Sequence, residues 1–452
     1  MLRNLLYLTL CLTALPGLLP AQQKIVFPDG SRVCFVGNSI TMAGEYVHYI
    51  RGFYATRFPD KKVEFINCGI SGDVTGGILA RMQPDIMVHK PQYAVIMIGM
   101  NDVQRPLYPA KYNGIDSIDQ QKKAALALYK KNITEIVEYF VKNKVIVVLQ
   151  KPSIYDQTAK IPQENLYGVN DALKTCAGYM QELANKYKLI TVDYWTLMTD
   201  INKKFQAKDS SFTIVGKDRV HPASPGHFSM AYQFLHTTLG NTPVNTIQLN
   251  YKTKKVEKGI QVSDINFGKN GIQFTSRPRS LPFAVFPAPA SALDFVPFTR
   301  ELNTELLKVT GLPSGNYRIS FNDSIAGEFS AAQLTEGINL ATLNTPEMQQ
   351  SKQVLDYCLK MKALEGDLRQ LRHMEYRTLY KLPNGNIRDS GIAILQRKLA
   401  DPATKQNERP PAERYLKNKP NEEEMYKEWD TMQEHLYEIN KPAAMRVMIE
   451  KI

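Results

Sequence analysis

Between residues 31 and 240, short unbroken apolar runs alternate with longer stretches whose apolar residues recur every three or four positions. The short runs cover residues 32–36, 63–68, 93–98, 144–149 and 189–192, and KVIVVL at 144–149 shows their β-branched character. The longer stretches cover residues 45–58, 119–142, 164–186 and 225–239. Strands that are apolar without alternation are buried on both faces, so the pattern predicts an α/β fold with a parallel sheet between two helical layers. Ligand sites in such folds lie at the carboxyl ends of the strands. The loops that follow the apolar runs are therefore where chemistry is sought first.

The remaining chain reads differently. Arg3 precedes an apolar run from residue 5 to 19, and Ala21 is a small residue suited to cleavage, which predicts a signal peptide over residues 1–21 and a secreted or periplasmic protein. The α/β region is assigned to residues 22–243. Residues 244–345 carry short β-like runs, with a hairpin expected where 306–310 and 317–321 flank Pro313-Ser314-Gly315-Asn316, and a proline-rich extended stretch over 277–297. Residues 346–452 are read as an α-helical region: one long helix to about residue 380, a polar loop over 401–420 and a second helix over 421–439. Cys34, Cys68, Cys176 and Cys358 remain after signal removal; their wide spacing permits disulfides in an oxidising compartment, but Cys34 and Cys68 lie in apolar strand-like runs and free core thiols are expected, while the absence of C-x-x-C gives no support to a zinc or thioredoxin-type site. The formal charge of +12 is spread along the chain rather than gathered in a basic-aromatic block, so no nucleic-acid partner is expected.

Four segments carry candidate chemistry. Gly37-Asn38-Ser39-Ile40-Thr41 follows the first run, where Ser39 fits either a nucleophile at a strand end or a helix cap. Asn67-Cys68-Gly69-Ile70-Ser71-Gly72-Asp73 follows the second, and Gly72 fits either an oxyanion-binding N–H or a plain turn. Gly99-Met100-Asn101-Asp102 follows the third and offers the Asn101 amide as a donor, or a polar turn. Asp218-Arg219-Val220-His221 places a carboxylate three residues before an imidazole, a spacing that lets Asp218 orient His221 toward a serine. Ser71 is a rival nucleophile better suited to a turn. His227 is assigned to support of the last helix, and no H-E-x-x-H or cysteine cluster marks a metal.

Taken together, GNSI, ISGD, GMND and DRVH resemble the four blocks of the SGNH (GDSL-type) hydrolase family over residues 31–240. The resemblance implies a flavodoxin-like three-layer fold and ester hydrolysis without a cofactor or metal. It assigns Ser39 as nucleophile, Asp218 and His221 as its partners, and the Ser39 N–H, Gly72 and Asn101 as the oxyanion hole. Asn38 departs from the aspartate common in the family, at a position beside the triad. The expected substrate is a small-molecule or polysaccharide ester, with a carbohydrate acetyl esterase favoured. A lipase or lysophospholipase, and a non-catalytic carbohydrate-binding or cell-envelope protein, stand as the competing readings.

Overall fold

The computed structural model describes residues 24–259, 261–379, 389–404, 406 and 408–452. The expected signal segment, 1–21, lies outside the described residues. The chain enters through β1 (Arg32–Gly37), a four-residue helix α1 (Ser39–Met42) and α2 (Glu45–Arg57). It continues through β2 (Glu64–Gly69), α3 (Thr75–Arg81), β3 (Tyr93–Met97), α4 (Asp116–Lys142) and β4 (Ile146–Lys151). Then come α5 (Val169–Tyr187), β5 (Ile190–Asp193), α6 (Tyr194–Gln206) and α7 (Ser224–Leu239). The five strands form one parallel sheet in the order β2-β1-β3-β4-β5.

Alternate residues of one strand serve two cores. Val33 and Phe35 of β1 meet Tyr46, Ile50 and Phe53 of α2 and Phe228 and Phe234 of α7. Cys34 and Val36 face Ile78 of α3, Ile133 of α4 and Leu173 of α5. This double burial is why the strands read as unbroken apolar runs. Two boundaries shift. Residues 164–168 stay in a loop, because Gly168 turns left-handed (φ 92°) before α5 begins. Helix α6 follows β5 at once, started by Asp193 accepting from the Thr196 N–H.

Beyond α7 lie β6 (Asn245–Asn250), β7 (Lys255–Lys258), β8 (Val262–Gly268), β9 (Gly271–Ser276) and α8 (Phe298–Leu302). They are followed by β10 (Glu305–Thr310), β11 (Asn316–Phe321), β12 (Ser324–Ser330), α9 (Ala331–Glu336) and β13 (Ile338–Asn339). Helices α10 (Pro346–Met374), α11 (Asp389–Ala400), α12 (Arg409–Asn418) and α13 (Glu422–Ile439) come next, and the chain ends in β14 (Met445–Lys451). A sheet ordered β13-β10-β6-β7 faces one ordered β12-β11-β14-β9-β8, with Leu249, Leu307 and Val309 packed against Phe274, Ile319 and Val447.

Three expectations are corrected here. The runs around Pro313–Asn316 do not pair as a hairpin: β10 lies beside β6 and β11 beside β12 and β14, in different sheets. Their apolar residues face one another across the sandwich, so the connection crosses between layers. The stretch 401–420 is not all loop. Pro410 and Pro411 sit in the first turn of α12, where proline needs no N–H partner, and α12 buries Ala412 and Tyr415. The C-terminal region is not wholly helical either: β14 sits between β11 and β9, with Met445, Val447 and Ile449 alternating inward.

Helices α10 and α13 pack together and onto α2 and the outer edge of β2, burying Cys358, Met361, Trp429 and Leu436. The unpaired backbone of that edge is met by side chains: Asn67 N–H donates to Glu365 at 3.0 Å, and Val63 N–H to the Tyr437 hydroxyl at 2.8 Å. An open edge strand is thereby covered. The four described cysteines are buried and unpaired. Among the described residues no helix is long and apolar enough to cross a membrane.

Candidate active site

In this strand order the chain leaves β1 and winds first to one side, then to the other. The crevice at the carboxyl end of β1, between the loops after β2 and β3, is the switch point at which such sheets bind ligands. Ser39 stands there, Gly72 follows β2 and Asn101 follows β3. The packing around Ser39 demands glycine. A Cβ at Gly37 would stand 2.3 Å from Thr41 Oγ1, and one at Gly69 2.3 Å from the Met42 nitrogen.

The helix-cap alternative for Ser39 is settled by its neighbour. Asn38 is the cap: its side chain accepts from the Ile40 N–H at 3.1 Å, which frees the Ser39 hydroxyl. Asparagine caps helices as well as aspartate does, so the departure at this position keeps the turn. Ser39 Oγ lies 2.7 Å from His221 Nε2, and His221 Nδ1 lies 2.5 Å from Asp218 Oδ2. Asp218 Oδ1 meanwhile accepts the N–H groups of Val220 and His221, each at 3.0 Å. One carboxylate thus folds its own loop and orients the ring, which is the physical content of the three-residue spacing. Partial burial disfavours the Asp218 charge. The hydrogen bonds from the His221 ring and from the two N–H groups outweigh this and hold its carboxyl below the usual range. The pair is open to solvent, with side chains 46% exposed for His221 and 53% for Asp218.

Gly72 adopts φ +74°, a left-handed turn that glycine enters freely. The Asn101 amide donates to the Asp73 carbonyl at 2.9 Å and so ties the β3 loop to the β2 loop, with its second N–H left for another acceptor. Asp102 reaches beyond its own turn. Its Oδ1 accepts from the Thr75 N–H (2.8 Å) and hydroxyl (2.6 Å), and burial pushes its carboxyl up to about 6. Ser71 is placed in the turn, its N–H donating to Met42 Sδ. His227 is buried and stacked on Tyr46 at 6.2 Å, its pKa lowered to about 4 by burial.

Sequence reasoning passed over the residues that hold these loops. Arg219, inside the Asp218–His221 loop, is buried at φ 66° and donates to the carbonyls of Asp156, Ala159, Ile161 and Gln163, riveting the loop after β4 to the histidine loop. Beneath Gly72, Asp73 accepts from Arg81 at 2.9 Å and Arg81 reaches Asp85 at 2.5 Å. Arg369 of α10 grips both oxygens of Asp85 (2.8 and 2.9 Å) and the Gly69 carbonyl. An arginine within a loop and a charge on an otherwise apolar helical stripe were the available signals.

With this geometry in view, known proteins show what the chain is similar to. Residues 35–227 match the GDSL-like lipase/acylhydrolase family. An acetylxylan esterase of Geobacillus stearothermophilus is 24% identical over 226 residues, 46% of this chain and 93% of that protein. A solved structure of a gut microbial diltiazem-metabolizing enzyme is 29% identical, covers 96% of this chain and 100% of its own, and superposes with a TM-score of 0.86. Its likeness runs through the sandwich and the C-terminal helices as well as the α/β layers. Over residues 35–227 the chain is therefore similar to the GDSL-like lipase/acylhydrolase (SGNH) family, and it is an ester-bond hydrolase.

Proposed function

We propose that the protein is an exported carbohydrate acetyl esterase that works through an acyl-enzyme on Ser39. The observation that carries the mechanism is the continuous hydrogen-bonded line Ser39 Oγ–His221 Nε2, His221 Nδ1–Asp218 Oδ2 at 2.7 and 2.5 Å. His221 takes the Ser39 proton as the oxygen attacks the ester carbonyl, and Asp218 holds the ring in the tautomer that accepts it. Negative charge develops on the carbonyl oxygen, where the N–H groups of Ser39 and Gly72 and the free N–H of the Asn101 amide stabilise it. One such donor is worth about 3 kcal/mol. His221 then returns its proton to the leaving alcohol, activates water, and the acyl-enzyme is cleaved.

Openness supports a sugar ester over a long acyl chain. A triad about half exposed at a crevice rim admits a polymer, whereas a fatty acyl chain needs an apolar trough to bury its methylenes. The name of one relative points the same way: it is an acetylxylan esterase. Export rests on the signal-like residues 1–21. The test is acetate release from acetylated xylan, other acetylated polysaccharides and diltiazem, beside p-nitrophenyl esters of two to sixteen carbons, with Ser39→Ala as control. Turnover falling steeply beyond short acyl groups supports the proposal. Preference for long chains would overturn it in favour of a lipase, and no turnover by the intact protein would overturn the mechanism.

A further inference from the structure

We propose that Arg377, delivered by the turn after α10, is a specificity-determining residue that selects esters bearing an anionic group near the scissile bond, such as a uronate carboxylate on an acetylated sugar. The proposal rests on the reading of Ser39 as nucleophile.

The guanidinium lies against the oxyanion loop. A Cβ built on Gly72 would stand 3.0 Å from Arg377 Nη2, 3.5 Å from its Cζ and 3.6 Å from its Nε, so the planar group lies along this glycine. It is half-buried and faces Asp73. That carboxylate is already bonded to Arg81 at 2.9 Å, so the charge of Arg377 is not consumed by it. Its neighbour His373 does not add charge: burial, then Arg377 and Arg369, hold the imidazole below its usual range.

The placement is fixed rather than incidental. The turn Glu375–Leu379 extends α10, and Glu375 is buried as the acceptor of Arg372 at 2.5 Å and of Lys419, which anchors the turn from both sides. Arg369, two turns earlier, is locked on Asp85 and Gly69. Lys362, Arg369, His373 and Arg377 follow one another at steps of seven, four and four, which is one face of a helix. That face looks at the strand ends: Lys362 Cγ would be 3.9 Å from a Cβ on Gly44, just past α1. In the loop after β3, Arg105 reaches Asn101 Oδ1 at 3.4 Å. One arginine therefore lies beside Gly72 and another beside Asn101. A guanidinium in this position meets a carboxylate with paired, charge-assisted hydrogen bonds.

The test compares 4-acetoxybenzoate with its methyl ester, two acetates that differ in one charge, for the full-length protein and for Arg377→Gln and Arg377→Lys. The readout is the ratio of kcat/KM, anion over neutral. In Arg377→Gln the ratio is expected to fall about tenfold, mainly through KM of the anion, and Arg377→Lys is expected to recover part of it. Raising salt should lower the ratio for the unsubstituted protein and much less for Arg377→Gln. A ratio within twofold of the parent in Arg377→Gln, or an equal loss on both esters, overturns the proposal. If Arg377→Gln fails to fold, the ratio in Arg377→Lys and the salt dependence of the unsubstituted protein decide by the same criteria. Failure of the underlying reading looks different: the unsubstituted protein would hydrolyse neither ester.

Discussion

Replacing Arg369 by alanine should damage the catalytic layer although the residue lies some 300 positions away from it. The arginine is 5% exposed, and its partner Asp85 is 1% exposed. The substitution removes two charged hydrogen bonds to Asp85 and the bonds to the Gly69 carbonyl, while Arg81 stays on Asp85 at 2.5 Å. Breaking a buried pair from one side costs about 3–5 kcal/mol. The surviving Arg81 contact places the ion-pair loss near the lower figure, and the orphaned carbonyl adds about 1 kcal/mol or more. We therefore expect about 4 kcal/mol, a large part of the roughly 5–15 kcal/mol that holds a domain together. The assay is urea unfolding followed by circular dichroism, with acetate release from p-nitrophenyl acetate measured below the transition. Because Gly69 leads into the turn carrying Gly72, kcat should fall as well. In an Asp85→Asn background the same substitution should cost distinctly less, since contacting residues are not additive. A loss below about 1 kcal/mol, or an identical loss in both backgrounds, would refute the reasoning.

Asp218→Asn keeps the loop's size but removes the acceptor for the ring N–H, so kcat/KM should drop roughly ten-thousandfold with little change in melting temperature; steady-state kinetics on p-nitrophenyl acetate checks it. Glu347 and Glu305 are buried together, each with one oxygen unpartnered, and burial pushes the Glu347 carboxyl up from 4.5 to about 7. A raised carboxyl favours the fold while protonated, so that contribution is fully present below about pH 4.5 and is lost as pH rises through about 7. It amounts to up to about 3 kcal/mol, and Glu347→Gln should flatten the fall in melting temperature over that window. Ending the chain after Ala444 deletes β14 and its three inward side chains, about 5–9 kcal/mol of burial. Limited proteolysis should then cut within residues 245–340, and resistance there equal to the parent's would sink the prediction.

What could be read in advance follows from which interactions are local. The parallel sheet was legible because double burial leaves an unbroken apolar signature, as in Tyr93–Met97, whose five residues are all buried. The candidate site was legible because each block is short and sits just past a strand, so the loops bearing Ser39, Gly72 and Asn101 are neighbours by strand order alone, and the Asp218–His221 contact is made within one turn. The pairing of β11 was not legible, since its partners are β12 nearby and β14 more than a hundred residues on, and a proline-glycine linker looks the same whether it closes a hairpin or crosses a sandwich. Strand β14 itself alternates Met445, Val447 and Ile449 with Arg446 and Glu450, a period of two that long helices upstream obscured. On α10, Glu365 and Arg369 fall on the same stripe as Met361 and Leu368. Charges on a buried stripe announce partners elsewhere, but nothing local names Arg51, Asn67 or Asp85 as those partners.

Those partners decide how far the catalytic layer is self-sufficient. Asp73, Arg81, Asp85 and Arg369 form a buried set of two negative and two positive groups, and the set balances only when α10 is present. Burial disfavours the Asp85 charge, yet Arg369 and then Arg81 override it and hold the carboxyl well below its usual range. Without α10 the α/β layers would keep one uncompensated negative charge there. They would keep a positive one at Arg51, whose partner Glu365 also comes from α10. An unpaired charge in a dry interior is among the costliest defects a fold can carry. Residues 35–227 carry the family's pattern, but two of their buried charges are written to be neutralised from outside that span. A chain cut after Leu239 would have to hydrate both, and the cheapest route is to open the edge of β2 and the turn leading to Gly72. The C-terminal helices are in this sense part of the support of the loop that carries Gly72, and loss of esterase activity should accompany their removal even where Ser39, Asp218 and His221 remain.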